Sequence, residues 1–88
     1  MEVSFKKRFL KGLNKISSSH IEGIKKIVFE DIPNATNLAD IPNVVHISGT
    51  ENFYRIRKGN YRIGFEIKES KILFYRVLHR REIYRKFP

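Results

Sequence analysis

Phe53-Tyr54-Arg55-Ile56-Arg57-Lys58-Gly59-Asn60-Tyr61-Arg62-Ile63-Gly64-Phe65-Glu66-Ile67-Lys68 is the stretch that decides the fold. Two runs rich in β-branched and aromatic residues, 53–58 and 61–68, are separated by two residues only. A two-residue linker with glycine leading marks a tight antiparallel hairpin. Counting outward from the turn sets Lys58 against Tyr61, Arg57 against Arg62, Ile56 against Ile63, Arg55 against Gly64 and Tyr54 against Phe65. Alternation then gathers Tyr54, Ile56, Ile63, Phe65 and Ile67 on one face, and Arg55, Arg57 and Arg62 on the other.

Like charges directly across a strand pair cost up to about 1 kcal/mol. A sequence selected for stability alone would not set Arg57 against Arg62. An anion bound by all three arginines is the natural reason to tolerate the pairing, and Gly64 beside Arg55 would let a phosphate or base approach the backbone. The competing reading is that these arginines reach outward and pair with Glu66 or Glu51.

Working outward, Glu69-Ser70 links the hairpin to a third run, Lys71 to Leu78, and Val44 to Ile47 precedes it. Near the N-terminus Val3-Ser4-Phe5 has strand character, but Phe5, Phe9, Leu13 and Ile16 recur at helical spacing among lysines. Ser19 and Glu22 have the spacing of a capping box, which starts a second helix carrying Ile21, Ile24, Ile27 and Val28. That helix is expected to stop near Asp31-Ile32-Pro33, because the residue before proline is pushed out of the helical region. Residues 33–43 read as a loop with one short helical turn, and His79 to Arg85 as a short C-terminal helix or tail. The expected architecture is α+β in a single domain, 1–88. An N-terminal helical hairpin packs on a small twisted antiparallel sheet of about four strands.

Charge narrows the function. The chain has 18 Lys and Arg against 9 Asp and Glu, a net of +9. Residues 1–50 carry a net of +2 and residues 51–88 a net of +7, and seven of the eleven cations in the later part are arginine, whose planar fork suits phosphate. Nucleic acid is the first partner this implies, an acidic protein the second and an anionic membrane the third. No run of about 18 apolar residues exists to span a bilayer, and the N-terminal charges do not follow a signal-peptide layout. A cytoplasmic location is therefore expected. The absence of cysteine removes disulfides, thiolate metal sites and cysteine nucleophiles.

The nine acids are scattered, without the clustering that holds Mg²⁺ in a metal-dependent nuclease. RNA cleavage needs no metal. The ribose 2′-OH can attack the adjacent phosphate if one group takes its proton, cations stabilise the phosphorane and a proton reaches the leaving 5′-oxygen. Arg80 and Tyr84 at i, i+4 present together on a C-terminal helix, with Arg81 and Arg85 forming the neighbouring stripe. His79 stands at the strand exit. An imidazole titrates near neutrality, and cations around a phenol favour its oxyanion, so His79 and Tyr84 are the candidate proton carriers.

At Tyr54-Arg55-Ile56-Arg57-Lys58-Gly59-Asn60-Tyr61-Arg62-Ile63-Gly64, followed by Val77-Leu78-His79-Arg80-Arg81-Glu82-Ile83-Tyr84, the chain resembles the RelE/ParE family of bacterial type II toxins. The order of elements agrees over essentially the full chain. The resemblance implies a toxin countered by an acidic antitoxin. In the RelE branch it implies metal-independent, ribosome-dependent cleavage of mRNA in the A site, with no cofactor. By motif, Arg62 would be the transition-state arginine, Arg80 the basic position after the last strand and Tyr84 the C-terminal tyrosine. Arg55 and Arg57 would contact RNA phosphate, with Lys58, Arg81 and Arg85 adding to that surface. Relatives often carry lysine at the first two hairpin positions; arginine almost never deprotonates, which leaves Tyr84 or His79 to carry the proton. The alternatives are a ParE-like inhibitor that binds DNA gyrase, and an inactive relative that only binds nucleic acid or antitoxin. As in the family, toxin and antitoxin together could bind operator DNA.

Overall fold

The computed structural model describes residues 1–88. They form β1 (Glu2–Phe5), α1 (Lys7–Leu13), α2 (Ser18–Lys26), α3 (Ile32–Asn34), β2 (Val44–His46), β3 (Phe53–Lys58), β4 (Tyr61–Lys68), β5 (Lys71–His79) and α4 (Arg80–Lys86). A π turn over Ile27–Asp31 joins α2 to α3, and the following loop holds one 3-10 turn, Leu38–Asp40. The β3–β4 register is the one counted from the turn, with Arg57 opposite Arg62 and Arg55 opposite Gly64. Gly59 has a φ of 58°, a left-handed conformation that glycine enters without steric cost.

The sheet has five strands in the order β1-β5-β4-β3-β2, and it is mixed. Instead of about four antiparallel strands, the chain adds Glu2–Phe5 as an edge strand parallel to Lys71–Phe74. Phe5 misleads because its spacing to Phe9 is helical while its backbone is extended. Its ring stacks on both Phe9 and Phe74, at 5.8 and 5.4 Å between centroids, so α1 starts only at Lys7.

The second helix also differs from expectation at both ends. It starts at Ser18 behind Ser17, with no side-chain cap, and the expected Ser19–Glu22 box does not form. The Ser17 and Ser19 hydroxyls instead lie 2.9 and 3.1 Å from His20 Nδ1. At its far end the helical path runs through Pro33 to Asn34 instead of stopping before it. Proline has no N–H to donate and its ring crowds the carbonyl four residues back. The wider π turn immediately upstream is a backbone adjustment that relieves such crowding.

One face of the sheet carries α1 and α2. Ile56, Ile63, Phe65, Ile72, Phe74 and Val77 meet Phe9, Leu13, Ile24, Val28 and Ile32 in a single core. Aromatic contacts run across it from Tyr54 through Phe65 to Phe74 and on to Phe9. A bulge interrupts the β4–β5 ladder, because Gly64 pairs with Arg76 while Phe65 pairs with Phe74. Tyr75 is the extra residue, and bulges of this kind re-aim neighbouring side chains.

The β4–β5 turn is the strained part of the sheet. Glu69 and Ser70 both have positive φ, 53° and 65°, where neither residue type is favoured. Replacing the pair with Asn-Gly, which suits this turn, should raise unfolding stability by about 1 kcal/mol in chemical denaturation. An unchanged or lowered midpoint would contradict the strain.

Candidate nucleic-acid interface

The second face of the sheet holds the site. Arg55 and Arg57 project from β3 and Arg62 from β4, as alternation requires. With Asn43, Val45 and Tyr84 they line an open hollow of about 300 Å³. Arg62 is the one charged residue of the chain that is buried, at 9% exposure. Its Nη1 donates to the carbonyls of Gly59 and Tyr61, each at 2.9 Å, which braces the turn and fixes the guanidinium. No buried side-chain nitrogen of the chain lacks a partner, so the rest of the Arg62 fork opens to the hollow. Such a pre-positioned fork is suited to a phosphate.

No carboxylate neutralises these arginines. The ion pairs of the chain are Lys26–Asp31 and Lys86–Glu82, and Glu66 accepts instead from the Tyr75 hydroxyl at 2.9 Å. Burial first, and then this carboxylate, push the Tyr75 pKa upward, which keeps that hydroxyl a donor. The reading in which the arginines merely pair with Glu66 or Glu51 is therefore not realised. No group of three His, Asp or Glu side chains converges anywhere to hold a metal.

Helix α4 closes the hollow from the side. Ile83 and Phe87 are buried against the sheet, while Tyr84 between them is 63% exposed. Its ring lies under the Arg55 guanidinium, 4.8 Å from carbon to centroid, a cation–π contact worth about 0.5–1 kcal/mol at such exposure. The space at Gly64 has a different use from the one expected. A Cβ there would lie 2.6 Å from the Phe87 ring, so the glycine receives a phenylalanine and not a phosphate or base. Phe53 and Tyr75 flank that ring at 5.6 and 5.8 Å.

The remaining candidates are not in the hollow. His79 pairs with Tyr61 on the helical side of the sheet, with ring centroids 5.9 Å apart, and its Nδ1 caps α4 by accepting from the Arg81 N–H at 3.2 Å. Arg80 stands one turn before Tyr84 on α4, where its N–H donates to the Asn60 carbonyl at 2.7 Å; its side chain, like those of Arg81 and Arg85, is exposed outside the lining. Lys58 bends the other way, its Cε lying 2.9 Å from where a Cβ on Gly23 of α2 would be. Asn43, Val45 and Phe87 were not legible as site residues. The first two arrive from a loop and an edge strand, and only an isoleucine-to-phenylalanine spacing of four at 83 and 87 hinted at the third.

The sequence model described as ParE toxin of the type II toxin–antitoxin system parDE matches residues 3–84. The chain is 44% identical over 89 residues to Toxin RelE3 of Methanocaldococcus jannaschii, covering all of both. Among solved structures it resembles a RelB–RelE antitoxin–toxin complex from Methanococcus jannaschii at 42% identity and a TM-score of 0.77, covering 96% of this chain and 98% of that one. The isolated RelE toxin of E. coli shares the fold, with a TM-score of 0.68 at 21% identity over 89% of this chain and 82% of that one.

Two substitutions test the geometry. Arg57→Glu turns a like-charged cross-strand pair into an opposite one and should stabilise the chain by up to about 1 kcal/mol in thermal or urea unfolding; a loss of stability would contradict it. Gly64→Ala should expel Phe87, so hydrogen exchange speeds up in residues 80–87 while β3 and β4 stay protected. Unchanged protection of α4 would show that Phe87 does not hold it.

Proposed function

Because this chain belongs to the RelE/ParE family of type II toxin–antitoxin toxins, we propose that it acts as an endoribonuclease that cuts mRNA in the ribosomal A site without a metal. The observation that carries the reading is the convergence of three unpaired arginines and one exposed tyrosine on a single hollow. A phosphate seated there meets the braced fork of Arg62 and the heads of Arg55 and Arg57. These offset the charge that grows as the 2′-oxygen attacks phosphorus. Arginine holds its proton throughout, so Tyr84 is the group in the hollow that exchanges one. In its phenolate form its oxygen takes the 2′-OH proton as the 2′-oxygen bonds to phosphorus, the bond from phosphorus to the 5′-oxygen breaks, and solvent supplies a proton to that oxygen. The products are a 2′,3′-cyclic phosphate and a 5′-hydroxyl. Arg80 adds charge beside Tyr84, and His79 contributes by capping the helix that carries it.

A cognate acidic antitoxin fits the same surface, since a net charge of +9 with an open arginine face offers it an obvious counterpart. The structurally similar archaeal protein is paired with RelB in its solved complex. Occupying the hollow would block RNA, and the pair together could bind operator DNA. No helix is long and apolar enough to cross a membrane, consistent with action beside the ribosome in the cytoplasm. The ParE-like alternative, inhibition of gyrase by binding, shares the scaffold but has no chemical use for Tyr84.

In a translating extract, Tyr84→Phe and Arg62→Ala should each lower mRNA cleavage by at least about 100-fold and relieve growth arrest. Circular dichroism should show both variants folded. Full activity in both would refute the mechanism, and blocked supercoiling with intact mRNA would favour the gyrase reading.

A further inference from the structure

A second cationic groove lies on the other side of α4. β1 pairs with β5 only through Lys71–Phe74, so the rest of that edge of β5 is left to α1. The helix comes close because Gly12 has no side chain; a Cβ there would sit 2.9 Å from the Val77 carbonyl. Between α1, the turn after it and α4 opens a cleft of about 490 Å³, with Arg8, Lys11 and Lys15 on one wall, Arg76 on the floor, and Lys86 and Glu82 on the other wall. The single acid is already committed: Glu82 accepts from Lys86 at 2.9 Å, and that bond, followed by the charges of Lys86, Arg85 and His79, holds its carboxyl below the usual carboxylate range. Arg8, Lys11, Lys15 and Arg76 take part in no ion pair.

Arg8 and Lys11 stand at i, i+3 on α1 and Lys15 follows in the turn after it, so the three form a row along one wall. Such a row of charges matches a chain of anions better than a single one. Successive residues of α4 are about 100° apart, so Glu82 and Lys86 face the groove while Tyr84 faces the arginine hollow. One helix, about 10–12 Å across with its side chains, separates the two. Ile16, Tyr61, Val77 and Leu78 also line the cleft, but none of them is fully exposed, so an amphipathic protein segment would find few apolar anchors among the charged heads. We propose that this groove binds the phosphodiester backbone of single-stranded RNA, holding the stretch that flanks a phosphate seated in the hollow. The proposal rests on the ribonuclease reading for the identity of the strand.

The test is the triple variant Arg8→Ala/Lys11→Ala/Lys15→Ala, which alters exposed residues only. Its binding to a fluorescent 2′-O-methyl RNA 12-mer, which lacks the nucleophile, is followed by anisotropy across a salt titration. Affinity should fall about tenfold or more, and the slope of log K against log salt should flatten by about 2, as expected for three lost phosphate contacts on a single strand. Binding within twofold of the unaltered chain with the same slope overturns the groove. Loss of poly-glutamate binding with RNA binding intact assigns it to an acidic protein and also overturns it. Cleavage of unmodified mRNA in a translating extract, measured alongside, separates the readings. Groove-dependent binding without cleavage in the unaltered chain supports the groove and defeats the ribonuclease, while cleavage with an unchanged slope in the triple variant does the reverse.

Discussion

Everything in this chain depends on the register of one hairpin. Side chains on a strand alternate with a period of two, so a slip of one residue between β3 and β4 would exchange their faces. Arg55 or Arg57 would then point into the layer that packs on α1 and α2, at a desolvation cost no small core could absorb. The turn at Gly59-Asn60 and the burial of Ile56, Ile63 and Phe65 exclude that slip together. Arg62 adds a third lock, bonding its own turn through the Gly59 and Tyr61 carbonyls. The residue most central to the proposed chemistry thus also braces the turn that positions it.

The two faces of the sheet divide the work. One is apolar and supplies the main core with the aromatic series from Tyr54 to Phe9. The other carries like charges with no counterion, which weakens the fold locally and readies the surface for an anion. Phe87 mitigates this by burying its ring over Gly64, which adds a small apolar cluster to the charged face and anchors α4. Tyr84 is exposed because its neighbours at 83 and 87 are not. The proposed function and stability are therefore opposed at Arg57 and allied at Phe87.

The hairpin, its register and the partition of arginine from apolar residues were readable because they depend on contacts a few residues apart. Most features that could not be read depend on distant ones. β1 finds its partner almost seventy residues away and in parallel, so a four-residue alternation was hidden beneath the helical spacing of Phe5 and Phe9. The helix that crosses Pro33 does so through a π turn, which leaves no periodic trace. Gly64 announced an empty place on the charged face but not its occupant, which comes from the C-terminus. The motif that ends in Tyr84 also contains His79, yet pairing with Tyr61 puts that imidazole on the opposite face, where it caps a helix. Local sequence shows which residues share a strand face; which distant element covers that face has to be seen.

The central claim is that the arginine hollow performs transesterification at a phosphate, with the 2′-oxygen as nucleophile. The most direct measurement is the chemistry of RNA ends recovered from a translating extract to which the purified chain is added. Cuts bearing 2′,3′-cyclic phosphate on one side and 5′-hydroxyl on the other are the predicted result. Intact mRNA, or cuts bearing 3′-hydroxyl and 5′-phosphate, would contradict it.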